Sequence, residues 1–499
     1  MSERTRREFL GEVGKGMLIA GLGSTLVANL GLEPLLAGEG PEPVTFGDLE
    51  PLAALMQETA PERLQPLLVE RIKGGTDLRT LVAAGALANA RTFGGEDYVG
   101  FHAAMALMPA YRMSQEMPER TGALPVLKVL YRNAAQIQKR GGRSREKLRR
   151  VAAGPGDLRD AVRRHDMEGA ERIFARLAQK QPAAYYNDLQ LVIQDDIEVH
   201  RVVLAWRAWD LLQLTGMKHA HTMLRQSVRH CVDVERKRVG RGRPEPRIRI
   251  VLPRLLDEYK LLEQPADRRE PDDQWVDKLS RTIFAGGRAE AAEAVAAALA
   301  EGFDPEAVGE AISLAANRLL LHDPGGKDGI VHGASVGVHA SDSANAWRNI
   351  ARVVNRRNAV TSLVVGAYHT AGQAGRVRSA PFPYAARLPE IDKTTDADAL
   401  LRKADAAIRT RDQARAAAAV HKYGALGHPH RPLFDLLIRY ATSEDGKLHA
   451  EKYFRTVSEE FRRSRPAFRW RHLVALARVT ASEYGTPAPG YADAVRLLQ

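Results

Sequence analysis

Residues 289–300 read AEAAEAVAAALA, and eight of these twelve residues are alanine. Alanine has the highest intrinsic helix propensity, whereas the aromatic residues that favour strands make up only 6% of the chain. Apolar residues recur elsewhere at helical spacing, as between Leu204 and Leu214. The nearest approach to strand-like alternation is residues 247–252 (RIRIVL). The sequence therefore predicts an all-α fold.

The composition excludes several classes of protein. The chain has 499 residues, of which 44% are hydrophobic, so it is long and apolar enough to bury a large core and is not a disordered protein. Its one cysteine, Cys231, excludes an intramolecular disulfide, a cysteine-rich zinc site and an iron–sulfur cluster held by this chain alone. We expect Cys231 to be a small buried residue.

The net charge of +12 comes with a basic segment in the middle of the chain. Residues 236–254 hold eight basic residues and one acidic one, and residues 139–150 form a second basic stretch. Two interpretations stay open: solvated loops, or a surface that faces an acidic polysaccharide or an anionic membrane. Few aromatic residues are interleaved with the basic ones, which argues against a nucleic-acid partner.

The chain contains an internal repeat. Residues 75–91 align without a gap to residues 302–318, with six of seventeen pairs identical, and later matches follow at offsets that drift from 227 to 249. This drift is what a duplicated unit with small loop insertions would give. We predict two related helical halves, 50–235 and 280–490, joined by a basic linker and connecting segment at 236–279. They would form an α-helical repeat or a pseudo-two-fold bundle.

The repeat matches histidines of the two halves. The pairs are His102 with His332, His200 with His449 and, more loosely, His219 or His221 with His472. Asp196 and Asp445 stand four residues before His200 and His449, so carboxylate and imidazole would share a helix face one turn apart.

These pairs predict a metal site. Carboxylate and neutral imidazole together bind transition metals, or the carboxylate fixes the imidazole tautomer. The expected metal ligands are His200, Asp196, His449, Asp445, His221 and His472. Iron is the favoured ion, with copper, manganese or zinc as alternatives. An ordinary hydrogen-bonded surface pair is the simpler interpretation of each Asp–His pair.

A small-residue stretch at 324–345 contains His332 and His339, seven residues apart. Such a stretch lets a helix, a substrate or a flat cofactor approach the backbone closely. Haem b is therefore an alternative cofactor, and the absence of a CxxCH motif from the sequence excludes covalent attachment. We take His102, His332 and His339 as the catalytic candidates.

The N-terminus carries the paired Arg6 and Arg7, followed by Phe9-Leu10 and a glycine-diluted apolar stretch up to Leu32. It resembles a twin-arginine signal peptide at residues 1–37, cleaved after Ala37. The resemblance implies export to the periplasm or beyond, with the Tat translocase as a partner and no stable membrane span after cleavage. It also implies folding, often with a cofactor, before export.

The elements around His102, His200 and His332 resemble a family of Tat-exported, all-helical proteins with recurrent histidines and no assigned activity. There is a fainter likeness to questin-oxidase-like proteins, which implies oxygen insertion of the Baeyer–Villiger type. No catalytic residue is carried over from that likeness.

The favoured function is an exported metal-dependent enzyme, an oxidoreductase, whose site is built from helix-borne His and Asp or Glu of both halves and acts on a small molecule. One alternative is a non-catalytic helical scaffold that binds an acidic polymer or an exported partner through the basic linker. Another is a metal-independent lyase that acts on acidic polysaccharide. No HExxH, Walker or GxGxxG motif points to another chemistry.

Overall fold

A computed structural model describes residues 42–263, 269–325, 335–377 and 380–499. The proposed signal peptide at 1–37 and His332 lie outside the described residues. Within these ranges, residues 45–148 and 152–499 belong to one compact unit. Residues 42–44 and 149–151 pair with each other through an antiparallel bridge between Pro43 and Arg149.

The all-α prediction is confirmed. In the described part of the chain, β-structure is limited to three isolated bridges. The helices that precede the predicted basic linker are α1 Glu50–Glu58, α2 Pro61–Lys73, α3 Leu78–Phe93, α4 Tyr98–Glu116, α5 Glu119–Gly122, α6 Leu124–Lys139, α7 Leu158–Arg163, α8 Met167–Leu177, α9 Pro182–Ile193, α10 Val199–Asp210, α11 Leu212–Thr215 and α12 Ala220–Gly240.

The remaining helices begin within the predicted basic linker and continue to the end of the described chain. They are α13 Ile248–Glu258, α14 Asp273–Ala285, α15 Arg288–Ala300, α16 Pro305–Leu320, α17 Val336–Val353, α18 Arg356–Ala371, α19 Leu388–Ile391, α20 Ala397–Arg409, α21 Gln413–Ala425, α22 His430–Ser443, α23 His449–Arg463, α24 Trp470–Glu483 and α25 Tyr491–Leu498. Short 3₁₀ helices lie at Gly47–Leu49, Gly142–Arg145, Met217–His219, Ala374–Arg376, Pro383–Arg387 and Gly446–Leu448.

Sequence-matched residues start equivalent helices in the two halves. Asp166 caps α8 by accepting from the Gly169 amide at 2.9 Å, and Asp412 caps α21 through the Arg415 amide at 2.9 Å. The residue before each cap has a left-handed backbone, with φ 50° at His165 and 58° at Arg411. These are the correspondences that a duplication predicts, and the duplication itself stays a prediction.

The basic segment at 236–254 is mostly helical. α12 extends to Gly240, and α13 begins at Ile248, which leaves only a short turn between them. The stretch RIRIVL is therefore helix, because Ile248, Leu252 and Leu255 lie at helical spacing and are all buried.

Four helices form the centre of the compact unit. α4 packs against α10 and α23, and α17 packs against the same two helices. α4 and α10 belong to the first predicted half, and α17 and α23 belong to the second. Each of the four carries a buried or nearly buried histidine within its first five residues.

None of the described helices is both long enough and apolar enough to cross a membrane. Cys231 is buried within α12, as expected, and burial raises the pKa of its thiol to about 12.

Candidate functional site: a ring of four histidines

The imidazoles of the four central helices form a closed ring. His102 lies 4.8 Å from His200 and 5.2 Å from His449, measured between ring centroids. His339 completes the ring at 5.5 Å from His200 and 5.4 Å from His449. One side chain from each of α4, α10, α17 and α23 therefore meets in one place, and both predicted halves contribute two.

The Nδ1 atom of each ring is occupied. His339 donates from Nδ1 to the Ser335 carbonyl at 3.0 Å, and His102 donates in the same way to the carbonyl of Tyr98, also four residues earlier. His449 donates to the Lys447 carbonyl at 3.0 Å. Because a carbonyl oxygen can only accept, these bonds place the ring proton on Nδ1 and leave a lone pair on Nε2.

His200 is held by a carboxylate instead. Its Nδ1 lies 2.6 Å from Oε1 of Glu198, whose other oxygen is 3.0 Å from Nε2 of His230. The Glu198 carboxylate also caps α10 by accepting from the Arg201 amide at 2.8 Å. Burial raises the pKa of Glu198, but His200 and His230 outweigh it and hold the pKa well below its usual value.

The four Nε2 atoms are buried and have no hydrogen-bond partner in the described structure. They are those of His102, His200, His339 and His449. A buried polar atom without a partner costs about 1–3 kcal/mol, and most such atoms in folded proteins are paired. Each of the four carries a lone pair, and a bound cation is one ligand that would satisfy them together.

The rings are held in the neutral form that a metal requires. Burial lowers the pKa of His339 to about 3, with further lowering by His200 and Lys452. Burial and Lys452 also lower the pKa of His102 and of His449 well below 6.5. At neutral pH these three imidazoles therefore have an unprotonated nitrogen.

The spacing of the rings is close to that of a four-histidine metal site, but the side chains as they stand do not form one. With metal–nitrogen bonds of about 2.0–2.1 Å, four imidazoles bound through Nε2 place neighbouring centroids roughly 4.5–5.2 Å apart. The observed separations of 4.8–5.5 Å are slightly wider. Among the described residues, no group of three or more His, Cys, Asp or Glu is found that could hold a metal ion as its side chains stand. Metal binding would therefore require the rings to change position.

A buried lysine lies next to the ring. Lys452 is one turn after His449 on α23 and is 2% exposed. Burial lowers the pKa of its ammonium to about 8, against the opposing effect of the buried Asp342. The positive charge of Lys452 lowers the pKa of His102, His339 and His449 and so favours their neutral form.

The backbone before His449 is strained. Lys447 and Leu448 both have left-handed backbones, with φ 48° and 67°. Consecutive non-glycine residues in this region are costly and persist where the surrounding structure enforces them, often at functional sites. Here the conformation presents the Lys447 carbonyl to the His449 ring.

Two cavities reach the ring from different sides. One, of about 540 Å³, is lined by Tyr98, His102 and His449. The other, of about 660 Å³, is lined by Glu198 and His339. The rings are therefore buried at their nitrogens but accessible to small molecules along two routes.

The structure brings together four of the predicted residues, His102, His200, His339 and His449. His332 was matched to His102 in sequence, but it is His339 that has the position of His102: near the start of its helix, with Nδ1 on the carbonyl four residues earlier. The offset from 102 to 339 is 237, which lies within the drift from 227 to 249.

The predicted Asp–His geometry is not found. α10 begins at Val199 and α23 at His449, so Asp196 and Asp445 precede their helices instead of lying one turn below the histidines. Asp196 accepts from the Ile197 amide at 2.7 Å, and Asp445 forms an ion pair with Arg132. Asp196 lines the larger cavity and Asp445 the smaller one.

The two remaining predicted ligands have other surroundings. His221 stacks on Phe174 at 5.7 Å between ring centroids, and the Nε2 atom of His472 is 3.3 Å from the Ser464 hydroxyl. Burial lowers the pKa of each to about 4.

Sequence reasoning missed Glu198, His230 and Lys452. Glu198 stands two residues before His200, a spacing that reaches the imidazole only because the helix begins between them. His230 and Lys452 have no local signal, since only the packing of α12 and α23 brings them to the site.

Comparisons of the chain with protein-family models, curated proteins and solved structures found no match.

Proposed function

We propose that the protein is a metal-dependent enzyme, an oxidoreductase, whose metal ion is held by Nε2 of His102, His200, His339 and His449. The observation that carries the proposal is the ring of four buried imidazoles whose Nδ1 atoms are occupied and whose Nε2 atoms have no partner in the described structure. Nδ1–H donated to a carbonyl or carboxylate is the usual outer support of a metal-bound histidine.

The donor set favours certain ions. Imidazole nitrogen suits iron, copper and zinc, whereas manganese prefers the carboxylate oxygens that the ring lacks. Haem is disfavoured, because its iron takes at most two axial protein ligands and four imidazoles meet here. A redox metal bound in the ring would supply the electron-transfer or oxygen chemistry that the surrounding side chains lack.

The protein's own groups orient the four imidazoles and limit access to them. The Nδ1 bonds fix the direction of each ring, and Glu198 adds a negative charge that raises the electron density on His200. The four Nε2 atoms are buried, while the two cavities would bring a small substrate to the walls formed by His102, His449 and His339. Tyr98 packs against His102 at 4.5 Å and against His200 at 4.9 Å, which closes the ring on the side of the smaller cavity.

The test is elemental analysis and a visible absorption spectrum of mature protein folded in the cytoplasm and purified without an affinity metal. We expect about one iron or copper per chain, lost in each of the single variants His102→Ala, His200→Ala, His339→Ala and His449→Ala. The matched control is His221→Ala, which removes a histidine whose pKa is also low and whose Nε2 also lacks a partner, outside the ring.

Loss of metal from all four variants but not from the control indicates one shared site. Half-occupancy in the His200→Ala and His449→Ala variants would instead indicate two sites and contradict the shared ring. Stoichiometric zinc alone would contradict the redox assignment, and a metal-free wild-type protein would overturn the proposal as a whole.

A further inference from the structure

The larger cavity beside the ring is lined by arginines from three separate segments. Its volume is about 660 Å³, and Glu198 and His339 lie in its wall. The basic linker, the start of α15 and the segment after α18 supply the arginines, which are Arg238, Arg243, Arg247, Arg288 and Arg376. The most basic segment of the sequence thus forms one side of the route to His339.

The acidic residues of this lining are already occupied. Glu198 accepts from His200 and His230, and Glu245 lies 3.8 Å from Arg249. Asp196 accepts from the Ile197 amide and lies 3.9 Å from Arg201. None of the three forms an ion pair with an arginine of the cavity lining.

Most of those arginines are exposed to solvent and have no carboxylate partner among the described residues. Arg238 forms an ion pair with Glu235 at 3.0 Å. The other four arginines form no ion pair with a carboxylate in the part of the chain that the structure describes; they are Arg243, Arg247, Arg288 and Arg376. Unpaired guanidinium groups around one concave site match the geometry of carboxylate and phosphate, which they bind in a bidentate manner.

Arg288 is exposed and lies along the wall of the cavity. Its guanidinium lies 5.8 Å from the centre of the Tyr368 ring, which also lines the cavity. A Cβ on Gly372 would stand 2.2 Å from the Arg288 Nε, so the arginine approaches this backbone closely because residue 372 has no side chain. Both Arg288 and Arg376 lower the pKa of the buried His369, which burial brings to about 4, so the two act on a common region.

We propose that this cavity binds the oxyanion group, a carboxylate or a phosphate, of a small organic molecule and directs the rest of that molecule to the His339 edge of the ring. The volume is that of a small-molecule site. The assignment of this anion as the substrate rests on the proposed function, whereas the binding itself depends only on the arginines.

The test is calorimetric titration of the metal-free protein with inorganic phosphate and, separately, with citrate, in a chloride buffer without other oxyanions. We expect saturable binding of at least one probe, weakened ten-fold or more in the double variant Arg288→Gln/Arg376→Gln, which corresponds to about 1.4 kcal/mol. The matched control is Arg241→Gln, an exposed linker residue outside the cavity lining.

The two probes distinguish phosphate from carboxylate as the preferred group. Absence of binding of both, or equal weakening in the control, would overturn the proposal. Tight binding of a polyuronate that Arg241→Gln weakens as much as the double variant would assign the linker to a polymer surface instead, and would overturn it as well.

Because the titration uses metal-free protein, its outcome is independent of the metal analysis. Saturable binding that is lost in the double variant, from a protein that never contains metal, would support the anion cavity and contradict the proposed function. Stoichiometric metal in a protein that binds neither probe would instead support the proposed function and contradict the anion cavity.

Discussion

The loops that lead into α10 and α23 each supply the hydrogen-bond acceptor for Nδ1 of a ring histidine, but with different chemical groups. By the offset of 249 that relates His200 to His449, Glu198 corresponds to Lys447. In the first predicted half the Glu198 carboxylate accepts the hydrogen bond from Nδ1 of His200. In the second the Lys447 backbone carbonyl accepts the hydrogen bond from Nδ1 of His449. The position of the imidazole is kept although the side chain that precedes it has changed sign.

The difference shows that ring geometry and ring electrostatics are separable. In the first half the Glu198 carboxylate places a negative charge beside the His200 imidazole and caps its helix. The second half has no such charge, and it reaches the same geometry through a strained backbone at Lys447 and Leu448. The ring is thus asymmetric in charge while nearly symmetric in distance.

The two loops are also anchored differently, and breaking the anchor of the second loop gives the largest expected effect. Lys128 on α6 pairs with Glu451 at 2.6 Å and donates to the Ala441 and Glu444 carbonyls at 2.8 and 2.5 Å. Lys128→Met leaves the fully buried Glu451 without its partner, so we expect a loss of about 3–5 kcal/mol in the free energy of unfolding. Urea denaturation at pH 7 measures it.

The control for this prediction is Asp195→Asn in the first loop. Asp195 is buried, but its partners Arg159 and Arg163 are about one-third exposed and stay hydrated when the carboxylate is removed. Its third partner, the nearly buried Arg249, keeps its ion pair with Glu235. We expect a smaller loss of about 1–2 kcal/mol. Equal losses would show that the two anchors are equivalent and would contradict this difference between the halves.

Outside the ring, each predicted half has one buried histidine, and we expect both to affect stability in the same direction as the pH changes. His472 has a pKa of about 4 in the folded protein, lowered by burial, against about 6.5 in the unfolded chain. Its contribution is fully present above pH 6.5 and is lost as the pH falls towards 4, by roughly 3 kcal/mol. His221, with the same pKa, has the same sign.

The variants His472→Gln and His221→Gln should therefore each flatten the stability profile between pH 6.5 and 4 relative to the wild-type protein. Denaturation in urea at several pH values gives the slopes. A variant whose profile stays parallel to that of the wild-type protein would show that the histidine is not held neutral in the folded state.

Removing the charge of Glu198 tests whether the charge asymmetry of the ring affects metal binding. Glu198→Gln keeps one oxygen for the Arg201 amide but places a neutral NH2 group where the charged oxygen accepts from His200 Nδ1, so we expect metal affinity to fall about ten-fold or more. Lys447→Gln should leave affinity unchanged, because His449 is bonded to the backbone of that residue. Competition with a chelator of known affinity measures both, and equal losses would refute the asymmetry.

The sequence predicts the helical class, because helix propensity is a local property of residues such as 289–300. The repeat identifies His102, His200 and His449, whereas His339 is identified by the small-residue stretch at 324–345 and not by the repeat. The sequence does not predict which carboxylate contacts His200. Asp196 has the spacing of a helical pair, but α10 begins only at Val199, and a shift of three residues in a helix start transfers the contact to Glu198. Lys452 could not be predicted either, since its role depends on the packing of α23 against α17 and α4.

The smallest expected effect comes from one substitution made in both loops. Lys447 has φ 48°, a region that costs an L-residue roughly 1–2 kcal/mol, whereas glycine adopts it freely but loses more entropy on folding. Lys447→Gly should therefore stabilise the protein by about 0.5 kcal/mol. Glu198 has φ −70° and ψ 127°, which any residue adopts, so Glu198→Gly gains nothing there and loses the helix cap.

Opposite signs for the two glycine variants, measured by urea denaturation of metal-free protein, would show that backbone strain belongs to the second loop alone. If Lys447→Gly also weakens metal binding, the strained backbone holds the Lys447 carbonyl against His449, and the second half uses conformational energy where the first half uses a charge. If Lys447→Gly destabilises the protein, the left-handed backbone is not a source of strain, and the two loops differ in chemistry only.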